Sequence, residues 1–125
     1  MITIVDDDDS FRDATTRLVR SLGYKAESFA SAEEFLKSSY VDSSSCLILD
    51  VSMPGESGIG LQDRLSDQGN RTPIIFVTAS APETVRAQAL KGGAVGFLKK
   101  PFREEILINH LDAALTGRKG PSSNN

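Results

Sequence analysis

Short apolar runs alternate along the chain with stretches in which apolar residues recur every three or four positions. Ile2–Val5 is an apolar, β-branched run that stops at an aspartate. Phe11, Ala14, Leu18, Val19 and Leu22 then follow helical spacing, and Gly23 is placed to end that helix. Tyr24–Phe29 reads as a second, weaker strand. Ser31 and Glu34 form a capping-box signature before Phe35 and Leu36. Cys46–Val51 is a buried strand interrupted only by Asp50, and the turn-rich segment Met53–Gly58 follows it. Ser57 is placed to cap a helix carrying Ile59, Leu61 and Leu65. Pro73–Val77 reads as a fourth strand, Pro82–Leu90 as a helix ended by Gly92 and Gly93, and Val95–Leu98 as a fifth strand. A last helical stripe runs through Ile106, Leu107, His110, Leu111, Ala114 and Leu115.

Five strands, each followed by a helix, predict an α/β fold. Continuous apolar strands are those of a parallel sheet covered on both faces. Right-handed crossovers then favour a doubly wound, flavodoxin-like sheet of order 2-1-3-4-5. A length of 125 residues fits one domain. Residues 1–116 are expected to form it. Residues 117–125, within the Gly- and Ser-rich end TGRKGPSSNN, are expected to be a flexible tail or a linker to a removed output domain.

Composition narrows the classes further. At 39% hydrophobic and 25% charged the chain has ordinary globular usage. The single cysteine, Cys46, lies in an apolar run, which excludes an intrachain disulfide and reads as a small core residue. No apolar stretch approaches a membrane span, and the acidic N-terminus is no secretory signal. A cytoplasmic setting is expected, with no membrane contact. The formal charge is −3, which disfavours direct nucleic-acid binding by this domain. That charge is uneven: residues 1–50 hold ten acids against five Lys/Arg, with Asp6, Asp7, Asp8 and Asp9 in a row.

Ligands of open α/β sheets sit beyond the carboxyl ends of the strands. There the sequence offers Asp6 and Asp7 after strand one, Asp50 in strand three, Thr78 after strand four, and Lys99 and Lys100 after strand five. Crowded carboxylates repel one another, and a hard divalent cation such as Mg²⁺ is the usual remedy. The acidic loop after strand one replaces the Gly-rich loop of dinucleotide and P-loop sites and would repel a phosphate unless a metal intervened. A small phosphoryl group could instead meet a metal, a Thr hydroxyl and a Lys ammonium, with Asp50 as nucleophile. Each element also has a plainer reading. An acidic run is usually a solvated patch, and Asp8 and Asp9 suit the N-terminus of the first helix. Phe97 taken alone is a partly packed aromatic. His110, on an apolar stripe, reads as a partly buried histidine, and Gly96 as a close-packing residue.

Taken in order, IVDD (Ile4–Asp7), LILDVSMPGESG (Leu47–Gly58), FVTA (Phe76–Ala79) and GGAVGFLKKPF (Gly92–Phe102) resemble the receiver domain of a two-component response regulator. The domain is chemotaxis-regulator-like, and its LKKPF and VTAS sequences look most like receivers joined to helix-turn-helix output domains. The resemblance implies that Asp50 accepts a phosphoryl group from a sensor histidine kinase. It implies Mg²⁺ ligation by Asp6, Asp7, Asp50 and the Ser52 backbone carbonyl. It makes Thr78 the switch hydroxyl, Lys100 the phosphoryl-pairing lysine, Phe97 the aromatic switch and Pro101 the site of a cis peptide. The resemblance also places Ser52 and Ser80 at positions that tune phosphoryl lifetime in such domains. Phe97 lacks a hydroxyl, so its switch would depend on packing. The implied output face is the fourth helix, fifth strand and fifth helix, with a phosphorylation-dependent homodimer and transcriptional control as outcomes. Two other functions are weighed against this one: an Mg²⁺-dependent aspartyl-phosphate phosphatase or phosphotransferase, and a binding module that is never phosphorylated.

Overall fold

The computed structural model describes residues 1–116. The expected tail at 117–125 lies outside the described residues. The elements run β1 (Ile2–Val5), α1 (Asp9–Ser21), β2 (Ala26–Phe29), α2 (Ala32–Leu36), β3 (Cys46–Asp50), α3 (Gly58–Asp67), β4 (Ile74–Thr78), α4 (Glu83–Lys91), β5 (Gly96–Lys99) and α5 (Glu104–Thr116). All four pairings are parallel, in the order β2-β1-β3-β4-β5 expected from the pattern.

Alternation along each strand divides the core into two layers. Ile2, Ile4, Cys46, Ile48, Ile75, Val77 and Leu98 pack with Val19 of α1 and Leu107, Leu111 and Ala114 of α5. Val5, Leu47, Leu49, Ile74 and Phe76 pack with Ala32 and Phe35 of α2, Leu61 and Leu65 of α3, and Ala89 of α4. Cys46 is fully buried, and burial pushes its thiol up to about 12, so it is an inert core residue. His110 is buried too. Its Nδ1 lies 2.8 Å from the Ile106 carbonyl, and its ring occupies the space a side chain at Gly96 would need, 2.5 Å from the Cβ position. No described helix is long and apolar enough to cross a membrane.

Several boundaries differ from the pattern for local reasons. Tyr24 and Lys25 belong to the turn after α1: Gly23 adopts φ +96°, and Tyr24 N–H returns to the Val19 carbonyl. Pro73 has no N–H to donate, so β4 begins at Ile74, although the Pro73 carbonyl accepts from Leu47 at 2.9 Å. Helix α1 starts two residues before Phe11, because Asp8 caps it by accepting from Phe11 N–H. Ser31 caps α2 through Glu34 N–H, but the Glu34 carboxylate reaches Ala30 N–H rather than the cap residue's own, so the box is only half reciprocal.

Register is what positions the site. Val5 pairs with Leu49, so Asp6, the next residue, is level with Asp50. Asp50 pairs with Val77, and Thr78 pairs with Lys99. The strand ends therefore arrive at one edge of the sheet together.

Candidate functional site

Asp6 is the anchor of this edge. It has no exposed surface, and both carboxylate oxygens are engaged: Oδ1 accepts from Asp8 N–H at 2.9 Å and Oδ2 from Lys100 Nζ at 2.8 Å. Arg12, one turn into α1, donates to the Asp6 backbone carbonyl at 2.8 Å and pairs with Asp9. The acidic loop is thus held by a cap, an arginine and a lysine, while Asp7 stays exposed.

Asp50 ends β3 with 6% exposure and accepts from Ser52 N–H at 3.2 Å. Burial, and then the negative charge of Asp6, push its carboxyl up to about 7, against the opposing pull of Lys100. Gly58 packs against the Asp50 carbonyl so closely that a Cβ there would collide with it. One carboxylate oxygen from each of Asp6, Asp7 and Asp50 lies within 4.8 Å of the others. Three hard oxygen donors at this spacing, one of them reluctant to ionise beside its neighbours, suit a small divalent cation with oxygen preference. The donor set fits Mg²⁺.

The remaining predicted residues border this cluster. Thr78 is buried, and its hydroxyl donates to the Ser80 carbonyl at 2.9 Å and accepts from Ser80 N–H at 3.2 Å, so it serves the loop rather than Asp50. The Thr78 carbonyl accepts from Lys100 N–H at 2.7 Å. The Lys100–Pro101 peptide is cis. Phe97 is half-buried, its ring 6.1 Å from that of Phe76, and it lines a cavity with Thr78, Ser80, Glu83, Arg86 and Lys99. Ser52 and Ser80 are exposed.

Three further residues support the site without a sequence pattern that assigns them to it. Arg12 had a readable signal, an acid three residues before it on one helix face. Phe11 has the spacing of the core stripe, yet Lys100 Nζ sits 4.1 Å from its ring centroid. Glu33 of α2 accepts from Glu56 N–H at 3.0 Å, tethering the loop after β3. That backbone contact also holds the Glu33 carboxyl below its ordinary value.

The chain has counterparts among known proteins. Residues 2–112 match the response regulator receiver domain family. The chain belongs to that family. It is 43% identical to nodulation protein W of Bradyrhizobium diazoefficiens over 114 residues, 91% of this chain and 50% of that protein. It is 44% identical to the response regulator TodT of Pseudomonas putida over 115 residues, 92% of this chain and 51% of that protein. Among solved structures, the response regulator StyR superposes with a TM-score of 0.85 at 41% identity, covering 94% of this chain and 59% of that one. FixJ-N superposes with a TM-score of 0.81 at 29% identity, covering 92% of each. The chain spans about half the length of the curated relatives it matches. Receiver domains are signalling modules phosphorylated by sensor histidine kinases, and an acidic pocket holding Mg²⁺ is general in the family.

Proposed function

We propose that Asp50 is the phosphoacceptor of this receiver domain. A carboxylate oxygen of Asp50 attacks the phosphorus of a kinase phosphohistidine. The P–N bond breaks, and its electron pair returns to the imidazole ring. Asp6, Asp7, Asp50 and the Ser52 backbone carbonyl are the residues that would hold Mg²⁺. Bound there, Mg²⁺ would supply positive charge to offset the negative charge of the phosphoryl oxygens. Lys100 brings an ammonium to the same oxygens, and Thr78 reaches them by giving up its bond to Ser80. That movement frees space beside Phe97, whose ring turns inward on packing alone. Ser52 and Ser80, both small and neutral, set how readily water reaches the acyl phosphate. The face formed by α4, β5 and α5 then changes and pairs with a second copy. An attached DNA-binding domain would carry the output to transcription, as the names of regulatory relatives such as TdiR of Thauera aromatica and FixJ suggest for those proteins. The domain would work in the cytoplasm.

The observation that carries this reading is the meeting of three carboxylates within 4.8 Å, with Lys100 2.8 Å from one of them. A phosphatase of the aspartyl-phosphate type would need a second acid two residues beyond the nucleophile, where this chain has Ser52. Incubation with a small phosphodonor is expected to add one phosphoryl group to the intact mass, to require Mg²⁺, and to fail entirely in Asp50→Asn. Uptake by Asp50→Asn at an undiminished level would remove the assignment. The phosphorylated sample is expected to sediment as a dimer, and an unchanged mass would remove that part of the proposal.

A further inference from the structure

We infer that Phe11 is a positioning residue that holds the Lys100 ammonium inside the acidic site. The inference rests on the reading of Lys100 as the phosphoryl-pairing lysine. Lys100 Nζ lies 2.8 Å from Asp6 Oδ2 and 4.1 Å from the centroid of the Phe11 ring. The ammonium is thus held between a carboxylate and the electron-rich face of an aromatic ring. The ring is itself fixed. Phe102, just beyond the cis peptide, meets it edge-on, with centroids 6.0 Å apart and planes at 78°. Phe11 belongs to α1 and Phe102 to the segment between β5 and α5, so two distant parts of the chain build the wall over one lysine.

A lysine head on four methylenes has considerable freedom to leave for solvent. The site is open to solvent at exposed Asp7. The Phe11 ring favours the ammonium that stays. This has two consequences of opposite sign. Lys100 and a divalent cation both draw on the Asp6 carboxylate, so a ring that favours the ammonium weakens metal binding. Once a metal has taken Asp6, the same ring keeps the ammonium near Asp50 and favours phosphoryl transfer. A residue that merely braces the site would affect both properties in the same direction.

Phe11→Leu removes the ring face and keeps an apolar side chain. It is expected to tighten Mg²⁺ binding by roughly threefold and to slow phosphorylation at saturating Mg²⁺ by roughly three- to tenfold, within the span a cation–ring contact covers. Phe11→Tyr keeps the face and is expected to match wild type in both. Adding Phe11→Leu to Lys100→Met is expected to leave Mg²⁺ affinity as Lys100→Met has it, because the lysine through which the ring acts is gone. The measurements are Mg²⁺ titration calorimetry and the rate of mass gain from a small phosphodonor. Weaker Mg²⁺ binding in Phe11→Leu, or an undiminished shift in the Lys100→Met background, would overturn the inference. If wild type takes up no phosphoryl group, the phosphoacceptor reading fails, and the Mg²⁺ titrations alone still decide whether Phe11 acts through Lys100.

Discussion

Replacing Lys100 by Met is expected to destabilise the metal-free domain by about 3 kcal/mol, and Mg²⁺ is expected to recover much of that loss. Asp6 has no contact with solvent, and among the described residues Lys100 is the cation that meets its carboxylate. Breaking a buried pair by removing one partner typically costs about 3–5 kcal/mol, because a charge is left without compensation. The lower end applies here: Lys100 keeps 16% of its side chain exposed, and Asp8 N–H still donates to Asp6. Loss of Lys100 also removes the charge that opposes the rise of the Asp50 carboxyl. A divalent cation answers both problems. At a hundredfold excess over Kd a ligand stabilises by about 2.7 kcal/mol, and in this variant it no longer competes with an ammonium. Urea unfolding of wild type and variant, each in EDTA and in Mg²⁺, measures the four stabilities. A destabilisation below about 1 kcal/mol, the range of surface pairs, or an equal Mg²⁺ effect in both proteins, would contradict it.

The second expectation concerns pH. The folded-state carboxyl of Asp50 stands at about 7, above its ordinary value of 3.8. Between those values the folded protein holds a proton that the unfolded chain has released. Stability linked to Asp50 is therefore fully present below pH 3.8 and is lost as pH rises through about 7. After discounting for solvent at the rim, the loss is on the order of 1–2 kcal/mol. Asp50→Asn cannot ionise, so it is expected to equal wild type near pH 4 and to exceed its metal-free stability by that amount at pH 8. Titrating groups away from the site act on both proteins alike, so the difference between the two profiles reports Asp50 and the neighbours it is coupled to. Parallel profiles from pH 4 to 8 would show that Asp50 ionises freely in the fold. Saturating Mg²⁺ is expected to remove the wild-type fall by balancing the ionised carboxylate.

The sheet order and the strand ends were legible because they depend on local pattern. Ile2–Val5, Cys46–Asp50 and Ile74–Thr78 are short apolar runs, and polar chemistry can begin only where each run stops. Topology then carries Asp6, Asp50, Thr78 and Lys100 to one edge without any further information. What the pattern could not reveal is which partner each side chain selects. The Thr78 hydroxyl turns to Ser80, a choice made by loop geometry. Phe11 has the spacing of a core residue and is in fact half-buried, but its ring face is used by a lysine from the far end of the chain. Glu33 reads as an ordinary acid in the first turn of α2, and only packing brings it to Glu56 N–H. Helix α2 itself is five residues long because the serine- and tyrosine-containing stretch after it turns repeatedly before β3.

The ion pair at the centre of the site joins residues 94 positions apart. A nascent chain that has emerged only through β4 carries all three carboxylates but no lysine to steady them. Its acidic edge lacks the cation that offsets Asp6, and its sheet lacks an outer strand. The cation of the site is therefore supplied only once β5 has been made, rather than growing in step with the sheet.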